Sequence, residues 1–159
     1  MTDAVFFQFE ADFVESLRCI PMQVRYKLDT CGVKLTLNHW HQFTDRDRRS
    51  LVDHPCNTSV SLQAYRDRLR ELVHRQTGQY PKDLPIEDEP AWSCSDLIPA
   101  DVLTEAARWG QALTIAQWRS LSELQRFALF KLSRPGHENR NFQSAWSEFG
   151  LSQTLDGLA

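Results

Sequence analysis

No apolar run in the chain approaches the roughly 18 residues needed to cross a bilayer. The first nine residues include Asp3 and only the short Val5-Phe6-Phe7 apolar stretch, so no secretory leader is expected and a cytoplasmic location is. A basic surplus is also missing. Eighteen Lys and Arg stand against 21 Asp and Glu, a net charge of −3, which counts against a general nucleic-acid binder. Cysteine is sparse and unclustered. Cys19, Cys31, Cys56 and Cys94 lie 12, 25 and 38 residues apart, which is neither a zinc-ribbon nor a zinc-finger spacing. Four cysteines in 159 residues are also too few for a secreted disulfide framework. The plain reading is four reduced, mostly buried small hydrophobes. The sharper reading gathers His54, Cys56, His39 and His41 into a metal site. Pro55 brings His54 and Cys56 close, but no second ligand pair has diagnostic spacing.

Enzyme signatures are absent as well. The chain contains no dinucleotide-binding glycine motif, no P-loop, no nucleophile elbow and no H-E-x-x-H. Glu10 and Asp12 are two residues apart, and Glu87-Asp88-Glu89 sit in a proline-rich segment; neither group is arranged for acid–base chemistry. No catalytic residue, metal or cofactor is expected, and the chain is not expected to be an enzyme.

What the sequence does contain is a repeat. A shift of 78 residues lays Ile20-Pro21 on Ile98-Pro99, Val24 on Val102 and Gly32 on Gly110. Leu35-Thr36 then falls on Leu113-Thr114, Trp40 on Trp118, Arg48 on Arg126 and Leu51 on Leu129. Nine of 32 aligned positions are identical, where chance gives roughly two. We read this as an internal duplication, with shared helix punctuation as the plainer alternative.

Each copy has the same expected plan. Pro21 and Pro99 open helices, because a helix leaves its first N–H groups unbonded anyway. Ile20, Val24, Leu28 and Cys31 form one apolar stripe, and Ile98, Val102, Ala106 and Trp109 repeat it. Gly32 and Gly110 follow, where a left-handed terminator suits glycine. Thr36 and Thr114 cap short helices carrying Trp40 and Trp118, and Thr44 and Ser122 cap the next ones. A longer helix starts at Thr58 or Ser59 and runs to about Thr77, with Leu62, Tyr65, Leu69, Leu72 and Val73 inward. Arg66, Arg68, Arg70, Asp67 and Glu71 take its other face. Phe142, Trp146 and Phe149 mark its shorter counterpart. Pro55 and Pro135-Gly136 end the third helix of each copy.

The fold class is therefore all-α: one compact helical domain of two tandem pseudo-repeated units, about 20–78 and 98–150. An extended acidic linker, about 80–96, joins them, held to the body by Ile86 and Trp92. The aromatic stretch 5–13 reads equally as a strand-like arm or a short helix, and 152–159 as a frayed tail.

Few residues suggest chemistry. His39 and His41 flank Trp40 on a short helix, where residues two apart diverge by about 200° and cannot readily chelate one ion. Cys19 precedes the positive end of a helix beside Arg18, which makes it the least poor nucleophile, though ordinary packing is favoured. Region 36–53 has a weak helix-turn-helix look with Arg46, Arg48 and Arg49, but Asp45, Asp47 and Asp53 interleave with them. What remains is a charged surface. Arg18, Arg25, Lys27, Asp29 and Lys34 lie on and around the first helix, and Glu10 and Asp12 lie in the aromatic arm. This is either a solubilising face or a docking patch for a partner, with Arg25 and Asp29 as an i,i+4 pair.

The stretch from Phe7-Gln8-Phe9-Glu10 through Leu17-Arg18-Cys19-Ile20-Pro21-Met22 to Cys31-Gly32-Val33-Lys34-Leu35 resembles the nitrate reductase-associated protein family. Trp40, Pro55-Cys56, Tyr65-Arg66, Asp83-Leu84-Pro85, Pro90 and Trp92 extend the likeness, which is firm over residues 6–92. The resemblance implies a soluble accessory factor needed for nitrate reductase to reach or keep its active form. It implies no catalytic site. The partner would be nitrate reductase or an assembly intermediate of it, with no nucleic acid and no membrane involved. A ligand or metal carrier using Cys19, Cys31, Cys56 and the histidines is the alternative, and a DNA-binding regulator a more distant one.

Overall fold

The computed structural model describes residues 6–10, 17–134 and 139–152. Among these the chain is mostly helical, with eight α-helices and one two-stranded sheet. It divides into two compact units, Met1–Glu87 and Asp88–Ala159. No helix among the described residues is long and apolar enough to cross a membrane.

In the first unit a 3-10 turn, Gln8–Glu10, precedes α1, Met22–Cys31, whose N-cap is Pro21. Gly32 ends α1 at φ 75°, and its N–H closes on Leu28 O. Strand β1, Val33–Lys34, leads to α2, Leu37–Gln42, capped by Thr36, and α3, Asp45–Asp53, capped by Thr44. Helix α4, Ser59–Thr77, is capped by Thr58 and ends at Gly78. Strand β2, Lys82–Asp83, pairs antiparallel with β1, Val33 opposite Asp83. Helix α4 packs on α1 and α2, and α1 packs on α3. Their shared core holds Val24, Leu28, Trp40, Leu51, Tyr65, Leu69 and Val73. Burying such side chains contributes on the order of 1.5–3 kcal/mol each.

The second unit begins its helices at α5, Ala100–Arg108, after Pro99. Helix α6, Ile115–Ser120, and α7, Glu123–Leu132, are capped by Thr114 and Ser122. Helix α8, Asn139–Glu148, follows. Met22, Leu37 and Asp45 begin α1, α2 and α3; Ala100, Ile115 and Glu123 begin α5, α6 and α7, each 78 residues on. Trp40 and Trp118 are both fully buried, and each indole N–H reaches an upstream carbonyl, Leu17 O at 2.7 Å and Cys94 O at 2.8 Å. The core of this unit includes Val102, Ala106, Phe127, Leu129, Phe142 and Trp146.

Four expectations need correction. The arginines of α4 are not a free solvent face. Arg66 donates to Cys31 O and Gly32 O and pairs with Asp83 at 2.7 Å, while Arg68 donates to Ser50 Oγ. Long side chains at the margin of a stripe can reach orphan carbonyls of a neighbouring element, which burial patterning does not reveal. Trp109 does not complete the α5 stripe: it is 42% exposed, because α5 ends one residue earlier. Ile86 is 57% exposed and touches the body with one edge, over Gly32, whereas Trp92 is buried against Phe127. The segment 80–96 is not wholly extended either, since residues 91–93 form a turn closed by Ser93 N–H on Pro90 O. In the aromatic arm Phe7 and Phe9 stack at 5.3 Å. Residues 11–16, the Pro135-Gly136 terminator and nearly all of the expected tail lie outside the described residues.

Candidate functional site

Helix α1 carries Arg25, Lys27 and Asp29 of the charges assigned to a docking patch, and the structure sorts the patch into buried and exposed groups. Lys27 adjoins the apolar stripe and is only 8% exposed. Its ammonium reaches the end of α3, where the last carbonyls have no intrahelical partner. It donates to Val52 O at 2.7 Å, His54 O at 2.6 Å and Leu51 O at 3.5 Å. A cation at a helix C-terminus also opposes the negative end of the helix dipole. Burial lowers the ionisation of this ammonium from its ordinary range.

Glu10 plays the converse part. It is 1% exposed, and its carboxylate accepts from Phe7 N at 3.1 Å and from Met22 N at 2.6 Å. Met22 is the first residue of α1, and Pro21 offers it no side-chain cap, so Glu10 supplies the cap from outside the helix. Glu10 and Lys27 thus leave the docking patch: both charges are consumed in capping helix ends. Arg18 and Lys34 stand exposed on either side of α1, while Arg25 and Asp29 are half-buried and Arg25 Nε donates to Ile20 O at 3.2 Å. Asp12 lies outside the described residues.

The cysteines separate in the same way. Cys94 is exposed and Cys19 half-buried, but Cys31 and Cys56 are both buried and turn their thiols to the same stretch of α1. Cys31 Sγ lies 3.8 Å from Leu28 O and Cys56 Sγ 3.9 Å from Lys27 O, so both sulfurs sit over one turn of α1. The hydrogen bond from Cys31, with the Lys27 ammonium, holds the Cys56 thiol below its usual range. That same bond and burial push Cys31 far up. Tyr65 closes the cluster, with its hydroxyl donating to Leu51 O at 2.7 Å; burial raises its phenol well above the usual value.

The histidines do not join the cysteines. His39 Nδ1 accepts from Thr36 N–H at 3.2 Å, His41 Nε2 contacts Arg18 O and His54 Nδ1 contacts Ser50 O. Among the described residues, no three His, Cys, Asp or Glu side chains converge as metal ligands would. Arg48, part of the helix-turn-helix reading, donates to Trp40 O and His41 O within its own unit.

The second unit holds an open cleft of about 310 Å³ lined by Trp109, Phe142 and Trp146 with Gln111, Gln143 and Ser147. Trp146 Nε1 donates to Gln111 Oε1 at 3.3 Å, and Trp109 Nε1 to the buried Glu105 at 3.2 Å.

Residues 6–149 of the chain match the profile of the conserved nitrate reductase-associated protein. The chain belongs to that family. No curated protein and no solved structure matches it. The nitrate reductase-associated profile extends well past residue 92, where the firm sequence likeness ends, and takes in all four helices of the second unit. Sequence patterns in this family member pointed to charged residues on and around α1, and of these Arg18 before the helix and Lys34 after it are exposed. The Cys31–Cys56 pair was not legible, because 25 residues separate the two and no short-range spacing rule connects them.

Proposed function

We propose that this protein is a non-catalytic accessory factor that supports assimilatory nitrate reductase by binding it, or an assembly intermediate of it, in the cytoplasm. The observation that carries this reading is the nitrate reductase-associated family match over residues 6–149. The docking surface is the solvent-facing charge around α1: Arg18 before the helix and Lys34 after it, with half-buried Arg25 and Asp29 on the helix itself. Exposed charges of this kind steer encounter and set register, and they can be reversed without disturbing a core. The two units are copies of one ancestral helical plan, a reading supported by the 78-residue offset between their helix starts.

The test is co-purification of nitrate reductase with the tagged full chain from cells assimilating nitrate. Arg18→Glu with Lys34→Glu is expected to cut recovery at least about tenfold, or about 1.4 kcal/mol, with no loss of thermal stability. If the wild-type chain recovers no reductase, the function is wrong. If the charge-reversed chain recovers as much as wild type, the function survives and the surface lies elsewhere.

A further inference from the structure

We propose that Cys31 and Cys56 are a redox-modification site, a buried dithiol that a hydroperoxide oxidises to an intramolecular disulfide. The geometry is the burial of both thiols and their convergence on adjacent carbonyls of one turn of α1, Cys31 Sγ 3.8 Å from Leu28 O and Cys56 Sγ 3.9 Å from Lys27 O. The two sulfurs belong to segments of different exposure. Cys31 is the last residue of α1, and its carbonyl is held by Arg66 at 2.9 Å. Cys56 lies in the connection between α3 and α4 and is the one buried residue from 53 to 60. A connection so exposed on both sides opens locally far more often than the core helix does. Cys56 is therefore the sulfur that an oxidant reaches first.

The Lys27 ammonium, fixed on Val52 O and His54 O, stands beside that sulfur and favours its thiolate. Cys56 attacks the peroxide oxygen, breaking the O–O bond and forming a sulfenic acid while hydroxide leaves as water with the thiol proton. Cys31 sulfur then attacks the sulfenyl sulfur. The S–O bond breaks, a second water departs with the Cys31 proton, and the S–S bond forms. In sum two thiols and one hydrogen peroxide give one disulfide and two waters. A small-molecule dithiol returns the pair to the reduced state by exchange.

The experiment uses the full wild-type chain, reduced and then treated with graded hydrogen peroxide. Remaining thiols are alkylated after denaturation and the peptides are mapped by mass spectrometry. The expected result is loss of two of the four alkylatable thiols and a linked Cys31–Cys56 peptide pair, two hydrogens lighter and released by dithiothreitol. Exposed Cys94 is the internal reference. If Cys31 and Cys56 are both still alkylated at a dose that has oxidised Cys94, or if either is linked to Cys19 or Cys94 instead, the proposal is overturned. Cys31→Ala gives a second readout: without its resolving thiol, Cys56 is expected to be trapped as a dimedone adduct, and absence of that adduct in folded protein counts equally against it.

Discussion

Single side chains carry much of what holds this protein together. Glu10 caps α1 across a gap of 12 residues, which no local rule anticipates. Glu10→Ala leaves the Met22 and Phe7 amides without this acceptor, and we expect a loss of about 2 kcal/mol in urea unfolding. Glu10→Gln keeps an acceptor and loses only the charge, so its cost is expected to be about half that. His39 adds a pH dependence. Its Nδ1 must be unprotonated to accept from Thr36 N–H, and burial lowers its ionisation from the ordinary 6.5. The folded state then binds this proton less readily than the unfolded state does. The contribution is fully present above about pH 6.5 and is lost as pH falls into the acid range. The counterpart in the second unit is Gln117, whose amide oxygen accepts from Thr114 N–H at 2.9 Å and does not titrate. His39→Gln should therefore flatten the fall in Tm between pH 7.5 and 5.5; an unchanged slope would show that His39 does not set it. The effect is at most about 1 kcal/mol, the size of one cap.

Helix ends were the most legible elements, because a cap depends on residues within three or four positions. Thr36, Thr44, Thr58, Thr114 and Ser122 each accept from the expected backbone N–H. The two left-handed glycines after α1 and α5 look equivalent in sequence but differ in surroundings. A Cβ on Gly32 would lie 2.7 Å from Ile86 Cγ1 and 3.0 Å from Leu84 O, whereas a Cβ on Gly110 would meet nothing within 4 Å. Gly110→Ala should cost about 1 kcal/mol, for the left-handed backbone alone. Gly32→Ala should cost clearly more, about 2 kcal/mol or above, because the β2 segment must also shift. Equal urea midpoints for the two variants would refute the packing difference. What the local pattern could not show was that Lys27, one position before an apolar Leu28, turns inward to the end of α3. The ridge of α1 that meets α3 is a property of the pair.

The chain as a whole divides inside the proline-rich segment that reads as a linker, between Glu87 and Asp88. Residues 85–89 are all exposed and include Glu87 and Glu89. Such a stretch is where proteases cut first. A glutamate-specific endoprotease should nick after Glu87 or Glu89 before any helix, and mass spectrometry should find fragments corresponding to the two units. A first cut at Glu71 within α4 or at Glu105 within α5 would contradict this boundary.

The all-helical class and the capped helix starts were readable from residue order, because propensity, capping and amphipathic period act over a few neighbouring positions. The roles of Glu10, Lys27, Cys31 and Cys56 were not. Each depends on which segment lies opposite, and burial converts an apparent surface charge into a cap and two distant thiols into a pair. The 3-10 turn reaching the start of α1, the packing of α1 against α3 and the seating of the connection after α3 on α1 bring these groups to their partners, since contacts between residues 12 or more positions apart leave no trace in local pattern.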